Sequence, residues 1–152
     1  MEIEIFEMAI GDYHEVVGLW NSVEGIGLND ADTREMIESY LQRNPGLSFI
    51  AKDGARIVGA VLCGHDGRRG YLHHLAVVHS HRKRGIGKAL VDRCLSGLRA
   101  IGIQKCNIFV FDENDDALTF WEKDGWFNRP DLAFLQKWTD GEGEKGRMGK
   151  RE

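Results

Sequence analysis

A basic turn that contains two glycines is the feature of the sequence with the clearest chemical potential. Residues 82–88 read Arg-Lys-Arg-Gly-Ile-Gly-Lys, and they separate an apolar stretch ending at Val78 from a helically periodic stretch beginning at Ile86. Free N–H groups and the helix dipole make a helix N-terminus an anion site, and glycines let a phosphate approach the backbone closely. The turn therefore predicts a polyphosphate ligand, and the alternative is a helix start with basic surface neighbours.

Three phosphate-binding patterns can be compared with this turn. The ATP-binding P-loop needs glycine where Arg82 stands and Ser or Thr where Ala89 stands. The dinucleotide pattern G-x-G-x-x-G needs glycine where Leu90 stands. Only the pattern R-x-x-G-x-G, from Arg82 to Gly87, matches in full.

Hydrophobic periodicity predicts the elements that position this turn. The predicted order is β-α-α-β-β-β-α-β-α-β, an α/β (α+β mixed-sheet) domain over residues 1–138 with central antiparallel strands and one parallel pair. The polar, glycine-rich residues 139–152 are expected to form a disordered tail. The predicted strands are 3–8, 47–52, 56–64, 71–78, 103–111 and 126–138. The predicted helices are 12–23, a second ending near 44 with Met36, Ile37, Tyr40 and Leu41 inward, 86–101 and one around 117–125.

A second motif begins at Asn114. Ala117 follows three residues later, an aromatic residue, Trp121, four after that, and then Gly125-Trp126. Together with the turn and the apolar strand at 75–77, this motif resembles the GNAT superfamily of acetyl-CoA-dependent N-acetyltransferases. The predicted element order also fits that family over most of the chain.

The resemblance implies an acetyl-CoA site and no metal. In such enzymes the fourth and fifth strands splay apart, and the pantetheine arm lies between them like an extra strand. Main-chain groups before the turn are expected to bond this arm, amides of the turn to cradle the pyrophosphate, and the Asn114 amide to bond the arm or to cap a helix. The implied cofactor-binding residues are Leu75, Ala76, Val77, Arg82, Lys83, Arg84, Gly85, Ile86, Gly87, Lys88, Asn114, Ala117 and Trp121.

The implied reaction is direct attack of a neutral primary amine on the thioester carbonyl, polarised by a backbone N–H such as that of Val77. Relatives carry a tyrosine where this chain has Trp121. An indole N–H can donate a hydrogen bond but cannot give up its proton, so Trp121 either stabilises the leaving thiolate or only packs. A covalent route through Cys63 is the alternative, although its apolar strand favours a buried thiol.

Candidate proton acceptors lie on the predicted strand 71–78. His73 is the first candidate, because an unperturbed imidazole titrates near neutrality. Tyr71 and His74 are rivals, and a water relay or a merely packed histidine is the alternative. Strict alternation predicts two faces, Tyr71-His73-Leu75 and Leu72-His74-Ala76. A zinc site from His73, His74, His79 and His81 is disfavoured, because no Cys or carboxylate spacing accompanies them.

The composition bounds the class of protein. The chain has 152 residues, 42% hydrophobic and 29% charged, which is typical of one globular domain. No apolar run approaches the ~20 residues of a membrane span, and the start lacks a signal-peptide pattern, so we expect a cytoplasmic protein without a membrane partner. The three cysteines (Cys63, Cys94, Cys106) are scattered, as expected for reduced thiols.

Two other functions remain beside the enzyme: an acyl-CoA-binding sensor on the same fold, and a nucleic-acid module built on residues 79–88. The net charge of −4 disfavours the second. The acceptor is expected to be a small-molecule or peptide amine, and Glu24, Asp30 and Asp32 between the first two helices favour a cationic one, unless they only form a solvated loop. A homodimer, the commonest oligomer, is compatible with the sequence.

Overall fold

The order of elements follows the predicted pattern as far as the last strand. The computed structural model describes residues 2–141, so most of the predicted tail, residues 142–152, lies outside the described part. The elements are β1 (Ile3–Glu7), α1 (Tyr13–Asn21), α2 (Arg34–Arg43), β2 (Phe49–Asp53), β3 (Arg56–His65), β4 (Gly70–Val77), α3 (Ile86–Ala100), β5 (Cys106–Ile108) and α4 (Asp115–Lys123). Short 3-10 turns occupy Ile10–Asp12, Asp30–Asp32 and His79–His81.

The strands form one sheet of five in the order β1-β2-β3-β4-β5. The first four are antiparallel neighbours, and β5 is parallel to β4. The parallel pairing is short, because only Gly70–Leu72 faces Cys106–Ile108. The predicted mixed sheet, with central antiparallel strands and one parallel pair, is confirmed.

Helices cover both faces of the sheet. On one face α3 presents an apolar stripe that includes Leu90 and Leu98, each at most 2% exposed. On the other face α1 and α2 bury Trp20 and Ile37. Burying a leucine or isoleucine side chain is worth about 1.5–3 kcal/mol, so these stripes fix both layers against the sheet. No helix among residues 2–141 combines the length and apolar character needed to cross a bilayer.

The predicted final strand, residues 126–138, is wrong, because this segment is irregular. Pro130 lacks a backbone donor, and the chain turns there with the N–H of Leu132 bonded to the carbonyl of Arg129 at 3.2 Å. Side chains of this segment are therefore not paired on a sheet face, and Leu135 is 88% exposed. The large exposed apolar side chains here are Phe127, Leu132, Phe134 and Leu135.

Two smaller predictions also need correction. The fifth strand is shorter than residues 103–111, because the N–H of Ile103 bonds back to the carbonyl of Leu98 at the end of α3 instead of to the sheet. Met36 does not face inward: it is 51% exposed. It lies in the first turn of α2, whose buried position is one residue later, at Ile37.

Candidate active site

A bulge interrupts β4, the strand that lies between β3 and β5. Across the β3–β4 ladder Leu62 pairs with His73, but Ala60 pairs with Ala76, so β4 carries one extra residue. The backbone at His74 has φ 55°, a left-handed value that non-glycine residues seldom adopt. Such backbone persists only where the surroundings hold it, which marks this position as a candidate site.

The bulge overturns the two-face prediction for this strand, because an extra residue shifts the alternation by one. The His73 ring meets Tyr40 of α2 edge-on, with centroids 6.2 Å apart. The His74 ring meets Trp20 of α1 at 5.0 Å. Both imidazoles thus face the α1–α2 layer, whereas Leu75 packs with the core on the α3 side.

Trp20 of α1 contacts the bulge from the α1–α2 side of the sheet. Its side chain is fully buried, and its indole Nε1 donates a 2.8 Å hydrogen bond to the carbonyl oxygen of His74. A buried donor and a carbonyl released from the ladder by the bulge therefore satisfy each other. The contact fixes α1 to the irregular part of β4.

Asp32 contacts the imidazole of His74. Its Oδ1 lies 3.0 Å from His74 Nε2, and the two side chains are 8% and 16% exposed. The carboxylate also accepts from the backbone N–H of Asn29 at 3.0 Å, and the hydroxyl of Tyr13 donates to the main-chain oxygen of Asp32 at 2.6 Å. In the sequence Asp32 is recognisable only as part of an acidic loop. The signal for its burial is the Asn29-to-Asp32 spacing of a capped turn.

Burial tunes the groups beside this pair. It lowers the pKa of His73, and the neighbouring His74 acts in the same direction. Burial also raises the pKa of Tyr40 far above its ordinary value. The Tyr40 hydroxyl is buried without a hydrogen-bond partner in the described part of the chain.

Tyr71 precedes the bulge and lies in a different environment. Its ring stacks on Phe109 with centroids 6.2 Å apart, and Phe109 in turn meets Phe134 at 4.6 Å. Phe109 is 54% exposed, so this aromatic group borders solvent where β4 and β5 part. The structure does not place Tyr71 in contact with the His73–Tyr40 pair.

The basic turn has the local geometry of an anion site. Lys83 and Gly85 both have positive φ, 63° and 80°, and this reversal leads the chain into α3. Residues 82–85 are exposed, and the first helical bond runs from Ala89 N–H to the Gly85 carbonyl at 3.0 Å. The N–H groups of the first turn of α3 therefore have no partner within the helix itself.

Arg82 and Lys88 of the turn contact other protein groups. Arg82 donates from Nε to the carbonyl of Val77 at 3.1 Å, which ties the turn to the end of β4. Lys88 Nζ lies 3.1 Å from Asp92 and 3.7 Å from Asp124, and the hydrogen bond to Asp92 raises the Lys88 pKa. Since the contact with Asp92 is largely exposed, Lys88 can exchange it for another anion at little cost.

His81 anchors the turn to the opposite hairpin. It is 8% exposed, its Nε2 lies 2.9 Å from Asp53 Oδ2, and its Nδ1 lies 2.8 Å from Ser80 Oγ. Residues 2–141 contain no group of three or more His, Cys, Asp or Glu side chains arranged to hold a metal ion. His74 and His81, two of the four histidines considered for zinc, each face a single carboxylate.

The second motif begins α4 and borders the α1–α2 loop. Asn114 is the N-cap of α4, and its Oδ1 accepts from the N–H of Ala117 at 3.2 Å. Trp121 is 6% exposed and packs between Phe120 and Trp126, each with ring centroids 5.0 Å away. The capping and packing interpretations of Asn114 and Trp121 are therefore both present in the structure.

The thiols are poor candidates for a covalent mechanism. Cys63 and Cys94 are fully buried, and Cys106 is half-buried. The hydrogen bond with Cys63, together with burial, raises the pKa of Cys94 well above its usual value, and burial raises that of Cys106 to about 12. Cys63 therefore offers no accessible nucleophile for an acyl-enzyme.

Known proteins share this architecture. Residues 13–126 match the model of the family described as Acetyltransferase (GNAT). An acetyltransferase of Yersinia pseudotuberculosis is 37% identical, and the match covers 81% of this chain and 85% of that protein. An acetyltransferase of Pectobacterium atrosepticum is 36% identical with the same coverage, 81% and 85%.

Solved structures agree at the level of the fold. The aminoglycoside acetyltransferase AAC(6')-Iy, bound to a bisubstrate analogue of CoA, has a TM-score of 0.73 at 20% identity and covers 91% of this chain and 99% of its own. The PaiA N-acetyltransferase of Thermoplasma acidophilum, in complex with coenzyme A, has a TM-score of 0.72 at 19% identity and covers 82% and 89%.

The fold and these relatives define an acyltransferase. The chain belongs to the Acetyltransferase (GNAT) family, and the resemblance seen in the sequence is confirmed.

Proposed function

We propose that the protein transfers an acetyl group from acetyl-CoA to a primary amine by direct attack of the amine on the thioester. The observation that carries this proposal is the early end of the β4–β5 pairing, at Leu72, beside the basic turn that begins α3. An opening next to an anion site fits a ligand with a polyphosphate and an extended arm. The CoA bound in PaiA of Thermoplasma acidophilum, a protein of the same fold, supports this choice.

The cofactor is proposed to lie over the turn and along the edge of β4 that β5 leaves unpaired after Leu72. Main-chain groups of residues 75–77 bond the pantetheine arm, and amides of residues 83–88 surround the pyrophosphate, with Arg82 adding positive charge. Asn114 and Ala117 border the arm from the start of α4. An added Cβ at Gly87 would lie 3.5 Å from the Phe120 ring, an ordinary contact, so Gly87 matters here for the approach of a phosphate.

The chemistry is proposed to take place at the bulge. A backbone N–H near Val77 polarises the carbonyl, and the Trp121 indole donates to the leaving thiolate. His73, the proton acceptor favoured by the sequence, has a lowered pKa and is therefore neutral at neutral pH, as a base must be. Tyr71 and His74 are its rivals, and all three side chains are on β4.

The acceptor is proposed to be a small-molecule or peptide amine that enters on the α1–α2 side, where His73 and His74 lie. The structural neighbours act on different amines: one is an aminoglycoside acetyltransferase, and another, the NatC complex, is bound to a peptide. Residues 1–138 form the proposed catalytic domain, and we place the protein in the cytoplasm on the sequence criteria given above.

Melting curves and thiol release test the proposal together. Acetyl-CoA at millimolar concentration should raise the melting temperature, because a ligand that binds only the folded state stabilises it. Free CoA thiol should then appear with at least one amine from a panel of an aminoglycoside, peptides with free α- or ε-amino groups, and a polyamine. Binding without turnover on any amine would favour the acyl-CoA sensor. If acetyl-CoA, ATP and NAD all left the melting temperature unchanged, a phosphate ligand at the turn would be refuted.

A further inference from the structure

We propose that His74 and Asp32 form a catalytic dyad, in which His74 accepts the proton of the attacking amine and Asp32 is the positioning residue for its ring. The inference rests on the proposed function and assigns a role that the sequence left open among three side chains. It starts from the 3.0 Å contact between His74 Nε2 and Asp32 Oδ1, two residues 42 positions apart in the chain.

The hydrogen-bond pattern around Asp32 sets the tautomer of His74. Both carboxylate oxygens accept: Oδ2 from the Asn29 N–H at 3.0 Å and Oδ1 from the imidazole. An ionised carboxylate has no proton to give, so Nε2 of His74 must carry the hydrogen. The neutral ring then has its lone pair on Nδ1, and Nδ1 is the atom that can take a proton.

The surroundings hold the ring of His74 in place from both sides. Its main-chain oxygen accepts the Trp20 indole N–H at 2.8 Å, and its ring meets the same indole at 5.0 Å. Tyr13 fixes the backbone of Asp32 with a 2.6 Å bond. A strained φ of 55°, a buried tryptophan and a capped turn thus converge on one imidazole that keeps 16% of its side-chain surface open.

The two histidines differ in the charged groups that surround their rings. The titratable groups that face His74 are Asp32, from the 3-10 turn, and His73, from its own strand. A carboxylate in contact with the ring stabilises the imidazolium that forms when the proton arrives. The ring of His73 instead meets Tyr40, and burial disfavours its charged form. The dyad is therefore the better acceptor of a full proton.

The step balances as an acyl transfer. The lone pair of the amine forms the N–C bond to the thioester carbonyl carbon, the N–H bond breaks, and the proton goes to Nδ1 of His74. The C–S bond then breaks and the thiolate takes its electron pair. Release of the proton from the imidazolium to water returns His74 to its neutral form, and Asp32 stays ionised throughout.

Nuclear magnetic resonance of ¹⁵N-labelled histidine tests the dyad without any acceptor. We expect the neutral His74 ring to carry its proton on Nε2. In Asp32→Asn only one side-chain oxygen remains for two donors, so this tautomer should lose its dominance. A neutral His74 protonated on Nδ1 in the unaltered protein would overturn the proposal.

The pH dependence of turnover, with the amine that the panel selects, tests the role in catalysis. His74→Gly suits a backbone with positive φ and should lower kcat about 10²–10⁴-fold, the usual contribution of a positioned base. Added imidazole should restore part of this loss by occupying the space beside Asp32. Asp32→Asn should lower kcat at least tenfold. It should also move the acid limb of the pH–rate profile to lower pH, because the charge that stabilises the imidazolium is gone.

Two controls keep the outcomes distinct. His14→Gln removes an exposed imidazole of α1 that makes none of the contacts described for the dyad, so its pH profile should match that of the unaltered protein. Acetyl-CoA melting shifts should persist in all three variants. Turnover with unchanged profiles in His74→Gly and Asp32→Asn would overturn the dyad alone. Loss of cofactor binding, or no turnover in the unaltered protein, would instead count against the proposed function.

Discussion

Gly25, in the loop between α1 and α2, lies directly against the side-chain amide of Asn114, the N-cap of α4. A Cβ added at Gly25 would overlap the Asn114 nitrogen, and the backbone there has φ 86°. The loop on the proposed acceptor side therefore touches the residue proposed to bond the pantetheine arm. This contact gives the two halves of the site a shared boundary.

We expect Gly25→Ala to weaken acetyl-CoA binding as well as stability. The positive φ alone costs about 1–2 kcal/mol in a residue with a side chain, and displacing an N-cap costs about 0.5–2 kcal/mol more. Gly46→Ala is the matched control: it has φ 77° and open space around its Cβ. Equal acetyl-CoA melting shifts in the two variants would show that the Gly25–Asn114 contact does not bear on the cofactor.

Gly87→Glu should abolish the melting shift with acetyl-CoA while the domain still folds. The carboxylate places like charge and bulk where we propose the pyrophosphate. Gly87→Ala is the companion variant, since its Cβ would meet the Phe120 ring and Val77 no closer than 3.5 Å. Replacing a helical glycine with alanine is worth about 0.5–1 kcal/mol, so this variant should melt slightly higher without ligand. Its acetyl-CoA shift should be reduced but not abolished, because the methyl group hinders the approach of the phosphate without adding like charge. An unchanged affinity of Gly87→Glu for acetyl-CoA would show that the cofactor binds elsewhere.

Trp121→Phe should lower kcat about ten- to a hundredfold, because a hydrogen bond to a charged sulfur is worth about 1.5–3 kcal/mol. Trp121→Tyr should preserve or raise turnover, since it restores a donor and adds a transferable proton. Steady-state release of CoA thiol checks both, with melting temperatures alongside because Trp121 is 6% exposed in the core. Equal rates for Trp and Phe would leave only the packing role.

His73 should make the fold less stable in acid. Its pKa is lowered by burial, so the native state holds this ring neutral while the unfolded chain binds a proton below pH ~6.5. The contribution of neutral His73 to the free energy of unfolding is therefore fully present above that pH. It is lost as the pH decreases toward the native pKa, by at most ~1.4 kcal/mol per pH unit for one proton. Urea unfolding should be measured from pH 7.5 to 5. The free energy of unfolding should depend less steeply on pH in His73→Gln than in the unaltered protein. His79→Gln, on the exposed turn, is the control for loss of an imidazole. Identical slopes in the His73→Gln variant and the unaltered protein would contradict the buried assignment.

The elements with a local signal were predictable from the sequence. The stripe of α3 repeats with a 3.6-residue period, and the Asp53-Gly54 pair between apolar runs marks the hairpin of β2 and β3. The basic turn was also placed correctly, because strand, glycines and helix succeed one another without interruption. These features depend on neighbours in the chain, so the sequence contains their causes.

The features that depend on distant contacts were not predictable. The bulge at His74 needs the Trp20 indole, 54 residues earlier, and the dyad needs Asp32 in a loop. Strict alternation has no means of placing an extra residue, so it divided His73 and His74 wrongly between the faces. The final strand failed for a related reason: apolar residues at 126–138 resemble a strand, but the turn at Pro130 breaks its pairing.

Because no residue of β5 pairs with β4 beyond Leu72 in the described chain, the outer edge at residues 73–77 presents main chain. A ligand bound by N–H and C=O groups is insensitive to which apolar side chains project above and below that edge. Leu75 and Val77 can therefore exchange with other apolar residues over evolutionary time, provided that the α3-side core stays filled. A proline at either position would remove a donor in a single step. If the cofactor binds at this edge as proposed, selection there acts on the backbone, and sequence divergence need not signal a change of cofactor.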